Sequence, residues 1–79
     1  MPDYGEIVEY IVKKLVNEPD RVSVTSEHSG AGAVMVTIST APEDVGRVIG
    51  KRGATINAIR LIAKAASVKP GEKVDVDIA

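Results

Sequence analysis

The sequence predicts a small α+β domain in which three helices cover one face of a three-stranded mixed sheet. Apolar residues recur every three or four positions over residues 4–16 and 54–67, which is typical of helices with one buried face. Over residues 21–27, 33–39 and 73–78 they alternate with polar residues instead, as in strands with one buried face. Glycine and proline separate these segments. The predicted order is αββααβ, within one domain that spans residues 1–79.

The first helix has the clearest pattern of the chain. Asp3 is a candidate N-cap and Glu6 follows three residues later, as in a capping box. Pro19 disfavours helical geometry at the residue before it, so the helix is predicted to end near Asn17. Its continuous apolar stripe comprises Tyr4, Ile7, Val8, Ile11, Val12, Leu15 and Val16.

A β-hairpin is predicted next, with a turn over residues 29–32. Val22 and Val24 on the first strand share a face, and the second strand buries Val34, Val36 and Ile38. Beyond the hairpin, Thr40 is a candidate N-cap with Pro42 in the first turn and Glu43 at the capping-box position. This predicts a short second helix that ends at Gly50.

The third helix is predicted over residues 54–67, and Pro70-Gly71 then breaks the chain before the last strand. A right-handed crossover through the two helices makes that strand parallel to the second. A narrow polar arc of the third helix contains Asn57, Arg60, Lys64 and Ser67. The apolar arc is wider than one core contact requires. Either neighbouring helices cover the side with Ala54, Ala58, Leu61 and Ala65, or that side packs against a second copy in a homodimer.

The segment between the second and third helices is a candidate phosphate site. Gly50 and Gly53 allow a tight turn and close approach to a ligand, and Lys51 and Arg52 place two cations at its tip. The amides that open the following helix lie at the positive end of its dipole. This combination suits a phosphodiester backbone. The full segment reads Val48-Ile49-Gly50-Lys51-Arg52-Gly53-Ala54-Thr55-Ile56.

The charges of the chain are unevenly distributed. The net charge is −1 and the pI is about 5.7, which by themselves argue weakly against nucleic acid. Between Val45 and Gly71, however, the chain has six basic residues and no acidic one. This segment therefore carries +6 and the remainder −7, and the field near the turn matters more to a bound phosphate than the total.

Other site types find little support in the sequence. The chain contains no cysteine, which excludes disulfides and thiolate zinc sites and fits a reducing compartment. A P-loop is excluded because Gly46 and Gly50 are separated by three residues and Arg52 follows Lys51. His28 is predicted to be exposed beside the hairpin turn, and Asp75 and Asp77 on the sheet face away from the helices. Residues 1–16 form neither a signal peptide nor a membrane span.

The segment from Val48 to Ile56 resembles the GxxG loop of KH domains, and the order αββααβ is that of type II KH domains. The run DVGRVIGKRG and the length resemble the KhpA family of small bacterial KH proteins. The resemblance implies a non-enzymatic, cytoplasmic RNA-binding protein without a cofactor. It further implies self-association, a larger Jag-type KH partner, and a regulatory or RNA-chaperone role in cell elongation and envelope growth.

The same resemblance implies where RNA would lie. About four nucleotides of single strand would cross Gly50 to Gly53, with bases over an apolar groove beside Val45, Ile49 and Ile56. Thr55, which adjoins the loop, is a candidate RNA-binding residue as well. For the basic residues Arg47, Arg60 and Lys64, the sequence leaves open whether they contact RNA or only solvent.

Overall fold

A computed structural model describes residues 3–68 and 71–79. Three helices and three strands follow one another in the predicted order αββααβ. This confirms the α+β fold. The elements are α1 (Tyr4–Leu15), β1 (Ser23–His28), β2 (Ala33–Ser39), α2 (Val45–Ile49), α3 (Ala54–Ser67) and β3 (Lys73–Ile78), with short 3-10 turns at Pro19–Arg21, Pro42–Asp44 and Lys51–Gly53.

The strand β2 lies at the centre of the sheet. It pairs antiparallel with β1 and parallel with β3, as the right-handed crossover predicts. In register, Val36 of β2 stands beside Val76 of β3, and both are buried under the helices. The core lies between the sheet and the three helices, and five elements contribute to it: Tyr4, Val8 and Val12 of α1, Val34, Val36 and Ile38 of β2, Val48 of α2, Ile56, Ile59 and Ala63 of α3, and Val74 and Val76 of β3.

The predicted cap of α1 is confirmed, but the helix ends earlier than predicted. The Asp3 carboxylate accepts a hydrogen bond from the Glu6 amide over 3.0 Å. The helix ends at Leu15 instead of near Asn17, because Val16 is already extended (φ −95°, ψ 160°). The amide of Asn17 donates to a side chain far along the chain, which is described below. A tertiary contact therefore sets this boundary.

The start of α1 is fixed to the start of β3. The Tyr4 hydroxyl donates to Glu72 Oε1 over 2.6 Å, and the Tyr4 side chain is buried. Burial, together with this hydrogen bond and the Glu72 charge, raises the pKa of Tyr4 to about 12. The phenol consequently remains a protonated donor throughout the neutral range.

Two sequence predictions in the hairpin region need correction. The strand β1 begins at Ser23 instead of Arg21, because Pro19–Arg21 form a 3-10 turn. It extends to His28, where the Ser29 amide closes the hairpin on the Ala33 carbonyl over 2.8 Å. Thr40 does not cap a helix, since its hydroxyl donates to the Ala41 carbonyl and the Pro42–Asp44 turn has no side-chain cap.

The bounds predicted for α3 are confirmed, but only Asn57 and Lys64 of its polar arc are exposed. Ser67 is buried and Arg60 half-buried, because this side of the helix lies along β3. Lys69, one of the six basic residues of the segment, and Pro70, at the predicted break before the last strand, lie outside the described residues. Within the described ranges, none of the helices is both long and apolar enough to cross a membrane.

A buried carboxylate holds the beginning of α2 against the segment after α1. Asp44 is fully buried, with Oδ1 accepting from the Asn17 amide and Oδ2 from the Glu18 amide, each over 3.1 Å. Arg47 approaches the same carboxylate, with 3.8 Å between Nε and Oδ1. A helix of five residues has little intrinsic stability, so this contact fixes where α2 lies.

Replacing Asp44 by alanine should cost about 2 to 4 kcal/mol of unfolding free energy, because two partly buried amides lose the buried carboxylate that accepts from them. Urea denaturation followed by circular dichroism measures this loss. Asp20→Ala is the matched control, since Asp20 is exposed in the neighbouring turn and should change stability by less than about 0.5 kcal/mol. Equal stability of the two variants would contradict the anchoring role.

Candidate functional site

A single tight turn joins α2 to α3. The Gly50 amide closes α2 on the Gly46 carbonyl over 2.9 Å, as the sequence predicted for a helix that ends at Gly50. The Gly53 amide then donates to the Gly50 carbonyl over 3.3 Å, and α3 begins at Ala54. Only Gly50, Lys51, Arg52 and Gly53 therefore separate the end of α2 from the start of α3.

The two glycines of this turn are required for different reasons. Gly50 has φ +74°, and a Cβ there would overlap the Thr55 hydroxyl and lie 2.9 Å from the Thr55 amide nitrogen. Gly53 has φ +77°, but its Cβ would meet nothing nearer than the Asn57 side chain at 3.7 Å. Space and backbone conformation both demand glycine at position 50, whereas only conformation does so at position 53.

Arg52 occupies a backbone conformation that residues with a side chain seldom adopt. Its φ of 57° and ψ of 27° lie in the left-handed region, which costs roughly 1 kcal/mol for a non-glycine residue. The side chains of Lys51 and Arg52 are both exposed at the tip of the turn. Strain at an exposed cation is consistent with a functional position, since it brings no packing in return.

Gly50→Ala should lower the unfolding free energy by at least about 3 kcal/mol, because the backbone of the turn must move away from Thr55. Gly53→Ala is the matched control and should cost only about 1 kcal/mol, the conformational term alone. Urea denaturation of both variants measures the difference. If the two substitutions cost the same, the close approach of Gly50 to Thr55 is not a constraint.

Arg47 is committed to contacts within the protein. With the Asn17 amide oriented so that its oxygen faces the guanidinium, Arg47 donates to it from Nε and Nη2 over 3.1 and 3.2 Å. The guanidinium also faces the buried Asp44. The side chain remains 55% exposed, so Arg47 holds α2 in place and still contributes positive charge to the surface beside the turn.

A second polar cluster lies at the opposite end of α2 from the turn. Arg21 approaches the carboxylates of Glu18 and Glu43, at 3.8 and 3.9 Å. A hydrogen bond between the two carboxyl groups raises the pKa of Glu18 and lowers that of Glu43. Glu18 and Glu43 are thus paired with Arg21, at the end of α2 away from Lys51 and Arg52.

The apolar residues predicted to line the groove differ in burial. Ile49 is 37% exposed and lies next to the turn, whereas Val45 is half-buried at the other end of α2. Ile56 is only 6% exposed and belongs to the core, where it can form a floor but not a contact surface. Thr55 is half-buried against Gly50. Sequence periodicity did not distinguish the exposed Ile49 from the buried Ile56, because the two residues belong to different helices.

Arg60 reaches from α3 to the edge of the sheet. Its Nε donates to the Val76 carbonyl over 3.0 Å, and its Nη1 to Asn57 Oδ1 over 3.2 Å. The sequence placed Arg60 and Asn57 on one arc but gave no sign of Val76. Only the alternation of backbone groups along β3 could have indicated this contact. Since β3 is an edge strand, the backbone groups of its even-numbered residues point away from β2.

Comparison with known proteins identifies the family. The family model described as "KhpA/KhpB, KH domain" matches residues 5–78. A protein of Caldanaerobacter subterraneus named RNA-binding protein KhpA is 45% identical, over 94% of this chain and 97% of its own. Proteins of the same name from Clostridium acetobutylicum (45% identical; 92% of this chain and 96% of that one) and Borreliella burgdorferi (33%; 99% and 98%) match as well. The chain belongs to the KhpA/KhpB family of KH domains.

Solved structures support the KH fold independently. The chain superposes on Era in complex with MgGDPNP and a fragment of 16S ribosomal RNA with a TM-score of 0.64, at 20% identity. An Era variant from Aquifex aeolicus bound to GDP and AlF4− gives 0.62 at 19% identity. The match covers 95% of this chain but only 28% of the first Era chain, and 96% and 30% for the second. At this identity the likeness concerns the fold alone.

Membership in this KH family also decides the class of protein. The curated relatives are named as RNA-binding proteins and not as enzymes, so the chain is a KH-domain protein and not an enzyme, as the sequence predicted. Within residues 3–68 and 71–79, no three His, Cys, Asp or Glu side chains come together as a metal site would require. His28, Asp75 and Asp77 are exposed.

Proposed function

We propose that this chain binds single-stranded RNA, with the phosphate backbone across Gly50 to Gly53. The geometry of the turn is the observation that carries the proposal: Lys51 and Arg52 are exposed at its tip, and Arg52 is held in a strained conformation there. No acidic residue occurs between Val45 and Gly71, so nothing in the adjoining helices repels a phosphate. The names of the curated relatives support the same ligand.

The surface beside the turn favours a single strand with accessible bases. Ile49 offers an apolar surface next to the phosphate seat, with Val45 at the other end of the same short helix, and the edge of β3 offers backbone polar groups. Aromatic stacking makes no large contribution, since Tyr4 is buried and Tyr10 lies on α1. Base contacts are then van der Waals contacts and edge hydrogen bonds, and the affinity of one domain is modest.

Replacing Lys51 and Arg52 together by aspartate should abolish RNA binding and leave the melting temperature nearly unchanged. Both side chains are exposed, and aspartate tolerates the left-handed conformation of position 52 better than most residues. A titration of short single-stranded RNA at several salt concentrations measures the effect. For the wild type, the slope of log affinity against log salt should be on the order of −1.5 to −2.

The double substitution of Lys13 and Lys14 by aspartate is the matched control for this experiment. It changes the charge by the same amount, but in the last turn of α1, and this variant should keep most of the RNA affinity. Wild-type affinity in the variant of Lys51 and Arg52 would show that the turn is not the RNA site. A wild-type salt slope near zero would show that RNA binding does not involve phosphate contacts.

A second candidate function, assembly with another KH domain, is favoured by the outer side of α3. Within residues 3–68 and 71–79, no neighbouring helix covers this side: Leu61 is 69% exposed, Val68 75% and Ile62 47%, and Ala54, Ala58 and Ala65 are exposed as well. Small residues here allow another backbone to approach closely. We propose a homodimer about a two-fold axis, in which two modest RNA sites act together.

Leu61→Asp should yield a folded monomer with weaker apparent RNA affinity, because a charge on this patch opposes helix-to-helix packing and removes the second site. Sedimentation at tens of micromolar protein, followed by RNA titration, measures both effects. Met35→Asp is the control: Met35 is also an exposed apolar residue, but it lies on the sheet face opposite the helices. A monomeric wild type under these conditions would refute the homodimer and leave the RNA site standing.

Our proposal for the cellular role rests on family resemblance alone. That resemblance supports a cytoplasmic post-transcriptional regulator or RNA chaperone, linked to cell elongation and envelope growth, with a larger Jag-type KH protein as a further partner of the α3 patch. The family model spans KhpA and KhpB together, which supports such a pairing. Sequencing the RNA and identifying the proteins that co-purify with the tagged chain, against the variant of Lys51 and Arg52, tests this role. Equal recovery of RNA by both would contradict it.

A further inference from the structure

The strand β1 forms the edge of the sheet that lies away from β3. Its six residues pair one-to-one with β2, without a bulge, and the strand contains neither proline nor lysine. Directly after β1, the Ser29 amide donates to the Ala33 carbonyl, so odd-numbered residues on this side point their backbone groups toward β2. The N–H and C=O groups of Val24, Ser26 and His28 therefore point outward. Proline, bulges and lysine are the usual protections of such an edge, and β1 has none of them.

A groove runs along this edge, between β1 and α1. The helix lies close against the strand, since a Cβ at Gly5 would be 3.3 Å from the Ser26 hydroxyl oxygen. The Val24 side chain packs against the core, which places the even-numbered side chains of β1 on the helix side. A further strand paired with β1 would direct alternate side chains into the same groove. The groove has a volume of about 320 Å³ and is lined by Asp3, Gly5, Glu6, Glu9, Val24 and Ser26.

The groove is acidic. Asp3, Glu6 and Glu9 are the charged residues of positions 1–12, and the first basic residue of the chain is Lys13. Glu9 approaches Lys13, with 3.7 Å between Oε2 and Nζ, and the Asp3 carboxylate caps α1. Glu6 is exposed, and within residues 3–68 and 71–79 it forms no ion pair. The excess negative charge suits lysine or arginine side chains.

We propose that the edge of β1 binds an extended segment of a partner protein that carries lysine or arginine at alternate positions. The backbone of this segment pairs with Val24, Ser26 and His28, and its basic side chains lie on the helix side, next to Glu6 and Glu9. Alternate residues of a strand are about 6.8 Å apart, and Glu6 and Glu9 are about 4.5 Å apart along the axis of α1. Two successive basic side chains of the segment can therefore each meet a carboxylate.

Charge disfavours two other occupants of this edge. A second copy that paired its own β1 here would bring Glu27 and neither lysine nor arginine, and its acidic groove would approach that of the first copy. RNA would bring phosphates to the same carboxylates. The strand β1 packs against α1 and β2, whereas the turn with Lys51 and Arg52 joins α2 to α3. Binding at β1 is therefore independent of the RNA-binding function proposed above.

A heptapeptide in which lysine and threonine alternate, blocked at both ends and labelled with fluorescein, tests the proposal by fluorescence anisotropy with the full chain. The wild type should bind this lysine peptide at least about tenfold more tightly than a peptide with glutamate in place of lysine. A third peptide keeps the lysine side chains but has N-methylated backbone amides. Its affinity should fall by a similar factor, because it cannot donate to the carbonyl groups of the edge.

Replacing both Glu6 and Glu9 by glutamine should weaken binding of the lysine peptide about fivefold, because two exposed carboxylates lose their charge. The matched control replaces Asp75 and Asp77 by asparagine. It removes the same charge from the sheet face away from the helices, and the affinity for the peptide should stay nearly unchanged.

Ser26→Pro blocks the edge at its centre. Because the Ser26 amide points outward, proline removes no hydrogen bond of the sheet, and proline is tolerated at such positions of edge strands. The affinity for the lysine peptide should fall at least about tenfold. If this variant shows no cooperative melting transition, the N-methylated peptide with the wild type tests the same pairing.

The outcomes distinguish this proposal from its alternatives. Equal affinity for the lysine peptide and its N-methylated form would overturn strand pairing, and equal losses in the glutamine and asparagine variants would reduce the binding to general attraction by an acidic protein. Self-association of the wild type that Ser26→Pro abolishes would assign the edge to a second copy instead. The RNA affinity should be the same with and without saturating lysine peptide, and competition between the two would overturn the placement at β1.

Discussion

The close approach of Gly50 to Thr55 is the constraint on which the arrangement of the site depends. Because glycine has no side chain, the backbone at position 50 can approach Thr55 closely. The chain therefore turns from α2 into α3 within a few residues and still keeps Ile56 in the core. Lys51 and Arg52, which lie between the two helices, are then exposed. The exposure of two adjacent cations is thus a consequence of backbone geometry.

The other end of α2 is fixed by charge. Asp44 accepts the amides of Asn17 and Glu18, and Arg47 faces both Asp44 and Asn17. A five-residue helix held at its first turn by a buried carboxylate and at its last by a glycine has little freedom to move. The turn between α2 and α3 is consequently preorganised, which lowers the entropic cost of ordering it on a ligand.

The sequence predicted those features that depend on local patterns, and it missed those that depend on distant contacts. The bounds of β2 and α3 and the end of α2 at Gly50 follow from periodicity and glycine, and all were right. The end of α1 was placed two residues too late, where Asp44 takes the Asn17 amide across 27 residues of chain. The supposed cap at Thr40 was wrong, because its hydroxyl donates to the Ala41 carbonyl and Pro42–Asp44 form a 3-10 turn without a side-chain cap. In the candidate site, the turn was evident from the sequence, whereas the contact between Arg60 and Val76 depends on strand pairing that no local pattern encodes.

Titration of the isotopically labelled chain with an oligo(C) octamer, followed by amide NMR shifts, tests the central claim most directly. We expect the largest shift changes at Gly50, Lys51, Arg52 and Gly53, with smaller changes along the outer edge of β3 at Val76. The opposite face of the sheet, at Met35 and Asp75, should not respond. Changes confined to that sheet face or to α1, with the turn unaffected, would contradict the assignment of the RNA site.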